Sequence, residues 1–153
     1  MQNQAPAEEG AQASTSRKGR FVFVSHDGKD TWVARQIARE IRAAGAYPFL
    51  DEAEVGVGDD FEERILEFLE KADELLVLLT PWALDRPYVW AELGLAWGRR
   101  IPIVGVLYGM TAAELQARPG MPVFLKRRDL IDINAIGQYF GELAARSQSG
   151  PLT

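Results

Sequence analysis

The sequence predicts a doubly wound α/β fold, a five-stranded parallel sheet with helices on both faces. Three observations predict it. Short apolar runs alternate five times with amphipathic helical segments, the pattern of repeated β-α units. The runs around Phe21–Ser25, Glu74–Leu79 and Ile101–Leu107 are apolar at nearly every position, as strands covered on both faces are. A further run, Ala46–Leu50, contains Pro48, which cannot donate a ladder hydrogen bond and so belongs at a sheet edge.

Each element follows from local chemistry. Strand one is Arg20–Ser25, a run of β-formers. The loop His26–Asp30 follows, with Asp27 as a turn residue and Asp30 placed to cap the next helix through its carboxylate. That helix runs to about Ala44 with Val33, Ile37 and Ile41 on one stripe, and Gly45 ends it by accepting a positive φ. Strand two is Ala46–Leu50. The loop Asp51–Asp59 carries Gly56 and Gly58, and helix two spans about Asp60–Ala72 with Phe61, Ile65, Phe68 and Leu69 inward. Strand three is Glu74–Leu79. Thr80–Arg86 leads into helix three, about Pro87–Gly98, with Asp85 as its expected cap. Strand four is Ile101–Leu107, a short helix covers Thr111–Ala117, strand five is expected at Met121–Leu125, and the last helix at about Ile133–Ala145 with Ile136, Phe140 and Leu143 as its stripe.

With five strands and Pro48 at the edge, the flavodoxin-like order 2-1-3-4-5 follows. Its topological switch point lies between strands one and three, where α/β proteins tend to bind ligands. The loops that line this crevice are Ser25-His26-Asp27-Gly28 and Thr80–Asp85, with Glu92 one to two turns into the following helix.

Length and composition narrow the function. A chain of 153 residues, 47% hydrophobic and 25% charged, suits one domain with a sizeable core. Residues 1–18 are poor in large apolar side chains and read as a disordered tail, residues 19–146 as the domain and 147–153 as a flexible end. The net charge of −5 argues against a nucleic-acid partner. The absence of cysteine removes disulfides, Cys-ligated metals and thiol nucleophiles. No apolar run approaches the ~18–20 residues of a membrane span, and the N-terminus lacks the apolar core of a secretion signal. A cytoplasmic location without membrane contact is expected.

Glu92 stands out. It is the only charged residue in Pro87–Trp97, among apolar and aromatic side chains and a glycine. An isolated ionised carboxylate is costly to bury, so such a residue has a partner or a chemical task. Its bland alternative is a half-exposed helix residue paired with Arg99 or Arg100. Trp90 and Trp97 read as core or interface residues. Arg99-Arg100 and Lys126-Arg127-Arg128 read as solvated ends. His26 is the only histidine, but it neighbours Ser25, and adjacent strand-end side chains point to opposite faces. A Ser-His nucleophile pair is therefore not expected.

Three segments in register resemble the Toll/interleukin-1 receptor (TIR) domain of the bacterial kind: Arg20–His26, Phe49–Gly58, and Leu78–Asp85 followed by Tyr88–Leu93. The resemblance spans about residues 19–146. It implies cleavage of the nicotinamide–ribose bond of NAD+, which is a substrate and not a bound cofactor, with Glu92 as the catalytic residue. It implies substrate contacts at Ser25, His26 and Asp27, at Asp51 and Gly58 after strand two, and at Trp82 and Tyr88. It also implies partnership with other TIR copies, with a separate sensor or effector protein, and a place in bacterial immune signalling. Two features depart from the family pattern. Tyr88 stands where enzymatic members often carry Trp, which keeps a ring able to stack. The loop after strand two is acidic, with Asp51, Glu52, Glu54, Asp59 and Asp60.

The residues suit that reaction. Nicotinamide departs as a neutral molecule from a cationic precursor, so no general acid is needed, unlike ordinary glycosides with their two carboxylates. One carboxylate can stabilise the oxocarbenium-like transition state. Two other functions stay open from sequence: a non-catalytic TIR self-association module, and a nucleoside deoxyribosyltransferase-like enzyme suggested by Glu92–Ala96 before Arg100–Ile103. A receiver domain shares the strand order but needs a phosphoacceptor aspartate where this chain has Thr80-Pro81.

Overall fold

A computed structural model describes residues 19–50, 59–121, 125 and 130–148, without the side chains of 59–62 and 64. The expected N-terminal tail (1–18), most of the loop after strand two (51–58) and the end of the chain (149–153) lie outside the described residues. So do the Asp51 and Gly58 assignments.

The sheet is parallel throughout, with the order β2-β1-β3-β4-β5. Its strands are β1 (Phe21–Ser25), β2 (Tyr47–Leu50), β3 (Glu74–Leu79), β4 (Ile103–Leu107) and β5 (Leu130–Asp132). The helices are α1 (Thr31–Ala43), α2 (Asp59–Lys71), α3 (Pro87–Gly98), α4 (Ala112–Gln116) and α5 (Ile136–Gln148). Short 3-10 turns precede α1, α3 and α5. Pro48 sits in the edge strand β2, where a missing N–H is tolerated.

The central strand β3 is buried along its whole length and divides two cores by its period of two. Leu75, Val77 and Leu79 pack with Leu69, Val89, Leu93 and Ala96 under α2 and α3. Leu76 and Leu78 pack with Ile37, Ile41, Tyr139 and Leu143 under α1 and α5. Stacked rings of Phe49 and Phe68, with centroids 3.5 Å apart, tie β2 to α2.

Strand five is not where the sequence suggests. Leu125 is buried in the α2–α3 core but is not in a strand, and residues 122–124 lie outside the described part. The segment that pairs with β4 is Leu130–Asp132, with Gly105 opposite Leu130 and Leu107 opposite Asp132. Leu125 and Met121 pack into the core, and a three-residue segment too short to carry a sequence signature completes the ladder. Ile133–Ala135 then forms a 3-10 turn capped by the Asp132 carboxylate, so α5 begins at Ile136.

Candidate active site

α3 is apolar nearly all round, and its faces have separate tasks. Val89, Leu93 and Ala96 are buried against β3 and β4. Pro87, Tyr88, Ala91, Glu92 and Leu95 recur at spacings of three and four, which puts them on one face. Together with Ile65 and Leu66 of α2 they line a groove of about 450 Å³. Glu92 is only 1% exposed, so it is not the half-exposed surface residue of the bland alternative. Arg99 instead bridges to Glu70 at 3.2 Å. Apart from Glu92 and the Tyr88 hydroxyl, the described residues that line the groove present apolar side chains.

The switch-point loops are joined directly. The Tyr88 hydroxyl donates to the His26 carbonyl at 3.0 Å. The Asp27 carboxylate accepts from the Lys29 N–H at 3.0 Å and from Arg86 Nε at 2.6 Å. Burial works to raise the Asp27 carboxyl, but those two donors outweigh it and hold the group below its ordinary value of 3.8. The Asp30 carboxylate accepts from Thr80 Oγ1 at 3.0 Å and from the Trp82 indole at 2.7 Å. Thr80 Oγ1 in turn accepts from the Ala83 N–H.

The nominated residues therefore separate. Tyr88 and Glu92 line the groove, and His26 adjoins it through the Tyr88 hydroxyl. Ser25 is buried at the end of β1, and its Oγ has no hydrogen-bond partner among the described residues. Asp27 and Trp82 are engaged in loop-to-loop contacts and do not line the groove. Asp30 occupies the cap position of α1 but makes no side-chain cap bond, because its carboxylate is spent on Thr80 and Trp82. Asp85 is not the cap of α3 either. That position is Arg86, while Asp85 bonds Arg118 at 3.1 Å. Trp97 is largely exposed, and the half-buried Trp90 donates its indole N–H to the Leu84 carbonyl.

Sequence reasoning missed Arg86, Thr80 and the apolar wall. The wall was legible as the 87-88-91-92-95 stripe. The Asp27–Arg86 and Asp30–Thr80 pairs join residues 59 and 50 positions apart, and no local pattern signals them.

A family model described as TIR domain matches residues 22–144. The chain is 31% identical over 111 residues to a Brachypodium distachyon protein called "Probable 2′ cyclic ADP-D-ribose synthase", covering 69% of this chain and 50% of that one. The chain thus spans half the length of this curated relative. Among solved structures, the TIR domain of the Toll-related receptor TRR-2 from Hydra magnipapillata superposes with a TM-score of 0.60 at 20% identity, covering 82% of this chain and 94% of that one. The TIR domains of the activated Roq1 resistosome give 0.55 at 14% identity, covering 83% and 84%. The two structural likenesses concern the fold. The family match covers most of the chain and coincides with the β2-β1-β3-β4-β5 sheet, and the chain belongs to the TIR domain family.

Proposed function

We propose that the protein is a TIR-domain enzyme that cleaves the nicotinamide–ribose bond of NAD+, with Glu92 as its catalytic carboxylate. The observation that carries this reading is a buried glutamate set in a groove whose other described lining residues are apolar except for one tyrosine hydroxyl. The curated relative's name, a synthase of a cyclic ADP-ribose, supports the same chemistry.

In this reading the ring of nicotinamide lies against the apolar wall near Tyr88. The C–N bond breaks with its electron pair leaving on nicotinamide, which departs neutral, while positive charge develops on the ribose. The Glu92 carboxylate stabilises that charge in surroundings of low polarity, where such an interaction counts for more than in water. Water then adds to the ribose carbon and loses its proton to solvent, giving ADP-ribose. A hydroxyl of the same molecule acting in place of water gives a cyclic product. His26 contributes to the pocket wall beside Tyr88. The role extends, on the resemblance to bacterial members, to immune signalling in the cytoplasm, with copies of the chain assembling together and a separate protein supplying the trigger or receiving the signal.

The test is direct. Purified protein at high concentration, and again in a forced assembly, is incubated with NAD+, and free nicotinamide is measured beside Glu92→Gln. Release by the wild type and its loss in the variant is the expected result. Undiminished cleavage by the variant removes Glu92 from the chemistry. Silence of the wild type in the forced assembly favours a non-catalytic association module, a reading to which the exposed Leu66 and Trp97 give some support. Release of a free base from deoxynucleosides favours the transferase-like alternative.

A further inference from the structure

We infer that Arg86 is a positioning residue for Glu92, acting through the buried Asp27; the inference rests on the NAD+-cleaving reading. Three facts lead to it. First, Arg86 occupies the N-cap of α3 and makes no side-chain cap bond. Arginine is a poor residue there, whereas aspartate is among the best. Asp85, one residue earlier, is turned outward to Arg118 with its side chain 71% exposed. The chain thus forgoes a cap at the helix that carries its key carboxylate. Such a local misfit marks a residue kept for another task.

Second, the Arg86 side chain reaches back to the loop after β1. Its Nε meets Asp27 Oδ1 at 2.6 Å, and Asp27 is buried and further fixed by the Lys29 N–H. An ionised pair at that distance is short and directional. Third, the contact is reinforced two residues later, where the Tyr88 hydroxyl donates to the His26 carbonyl. Consecutive residues of one switch-point loop, 26 and 27, therefore hold residues 88 and 86 at the start of α3. Glu92 is on the same helix face as Tyr88, one turn further on. Fixing the first turn fixes the rotation and height of α3, and with them the position of the Glu92 carboxylate against the groove. Arg86 does not line the groove, so its effect is on placement and not on substrate contact.

The experiment uses the full chain with Arg86→Met, which removes the charge at a site with a 47% exposed side chain, and with Arg86→Lys as the conservative variant. Nicotinamide release from NAD+ gives kcat and KM. The ¹H–¹⁵N signal of the Trp90 indole, bonded to the Leu84 carbonyl at 2.8 Å, reports the placement of the α3 entry independently of activity. Arg86→Met should lower kcat by about tenfold or more, the scale of small misplacements of a catalytic group. KM should stay within about twofold, the Trp90 signal should shift, and Arg86→Lys should recover most of the rate. A kcat within about twofold of wild type, or a raised KM at unchanged kcat, overturns the inference; the second result would make Arg86 a substrate contact. If the wild type itself releases no nicotinamide, the functional reading fails separately. The placement claim is then decided by the Trp90 signal, which supports it by shifting in Arg86→Met and overturns it by staying put.

Discussion

Buried acids sit at both ends of the sheet, and their surroundings differ. At the N-terminal edge of the strands Glu74 opens β3 between two guanidinium groups, Arg20 at 3.2 Å and Arg146 at 3.5 Å. Arg146 also lies over the ring of Tyr139, whose phenol is pushed far above its ordinary range by burial and then by the Glu74 charge. Beyond the C-terminal edge Glu92 is equally buried, but it lines a groove whose other described lining residues are aliphatic side chains and Tyr88. Burial of a carboxylate alone therefore does not mark an active site. A carboxylate held between two guanidinium groups away from any groove reads as a structural acid, and one that lines an open groove is a candidate for chemistry.

The sharpest way to break this comparison is to neutralise each acid in turn. Glu92→Gln should cut nicotinamide release by roughly two to three orders of magnitude or more, the scale of losing one preorganised charge-stabilising group, while the thermal midpoint stays close to wild type. Nicotinamide assays and calorimetry on the same preparations check both halves. Glu74→Ala should do the reverse. It strands Arg20 and Arg146, whose side chains are 31% and 37% exposed, and should lower stability by about 2 kcal/mol, less than for a fully buried pair. That corresponds to a midpoint lower by roughly 5 °C, with kcat per folded molecule unchanged.

Asp27 provides a third, pH-dependent comparison. Its folded carboxyl is held below the ordinary value of 3.8. A depressed folded value contributes stability that is fully present above the unfolded value and is lost as pH falls through the folded one. Wild type should thus exceed Asp27→Asn in thermal midpoint by a constant margin above about pH 5. The margin should shrink on acidification below about pH 4. A margin that is flat across the whole range would mean that Asp27 carries no ion-pair stabilisation. The smallest effect concerns two helix ends at the N-terminal edge. α1 and α3 close in the same way, with Ala46 N–H to Ile41 carbonyl and Ile101 N–H to Ala96 carbonyl. The left-handed position is Gly45 in one, at φ 91°, and Arg100 in the other, at φ 60°. Arg100→Gly should stabilise by about 1 kcal/mol and Gly45→Ala should destabilise by about as much. Denaturant titration resolves both.

Much of the fold was legible because it rests on local signals. The unbroken apolar run of β3, the proline in β2 and the glycine after α1 each dictate one outcome. Strand five was misplaced because Met121–Leu125 is the better strand by composition, whereas Leu130–Asp132 is selected only by its pairing with β4. The site divides in the same manner. Glu92 and Tyr88 were visible as a charge and a ring on one helical stripe. Asp30 was misread as a cap because it has the right chemistry at the right place, and the distant Trp82 and Thr80 claim its carboxylate instead; Asp85 has the right chemistry but lies one residue before the cap position. Capping preferences amount to about 1 kcal/mol, and a buried charge-assisted bond can exceed that.

The link between Arg86 and Glu92 has a consequence for how such a chain can change over generations. Each residue of an α-helix turns about 100° and rises about 1.5 Å. One codon gained or lost between the anchored entry of α3 and Glu92 would swing the carboxylate from the groove onto another face of the helix. On that link, the stretch should tolerate substitutions better than a change of length. The segment that leaves β4 carries no such ruler, and insertions there would alter the outline of the domain while leaving Glu92 where it is.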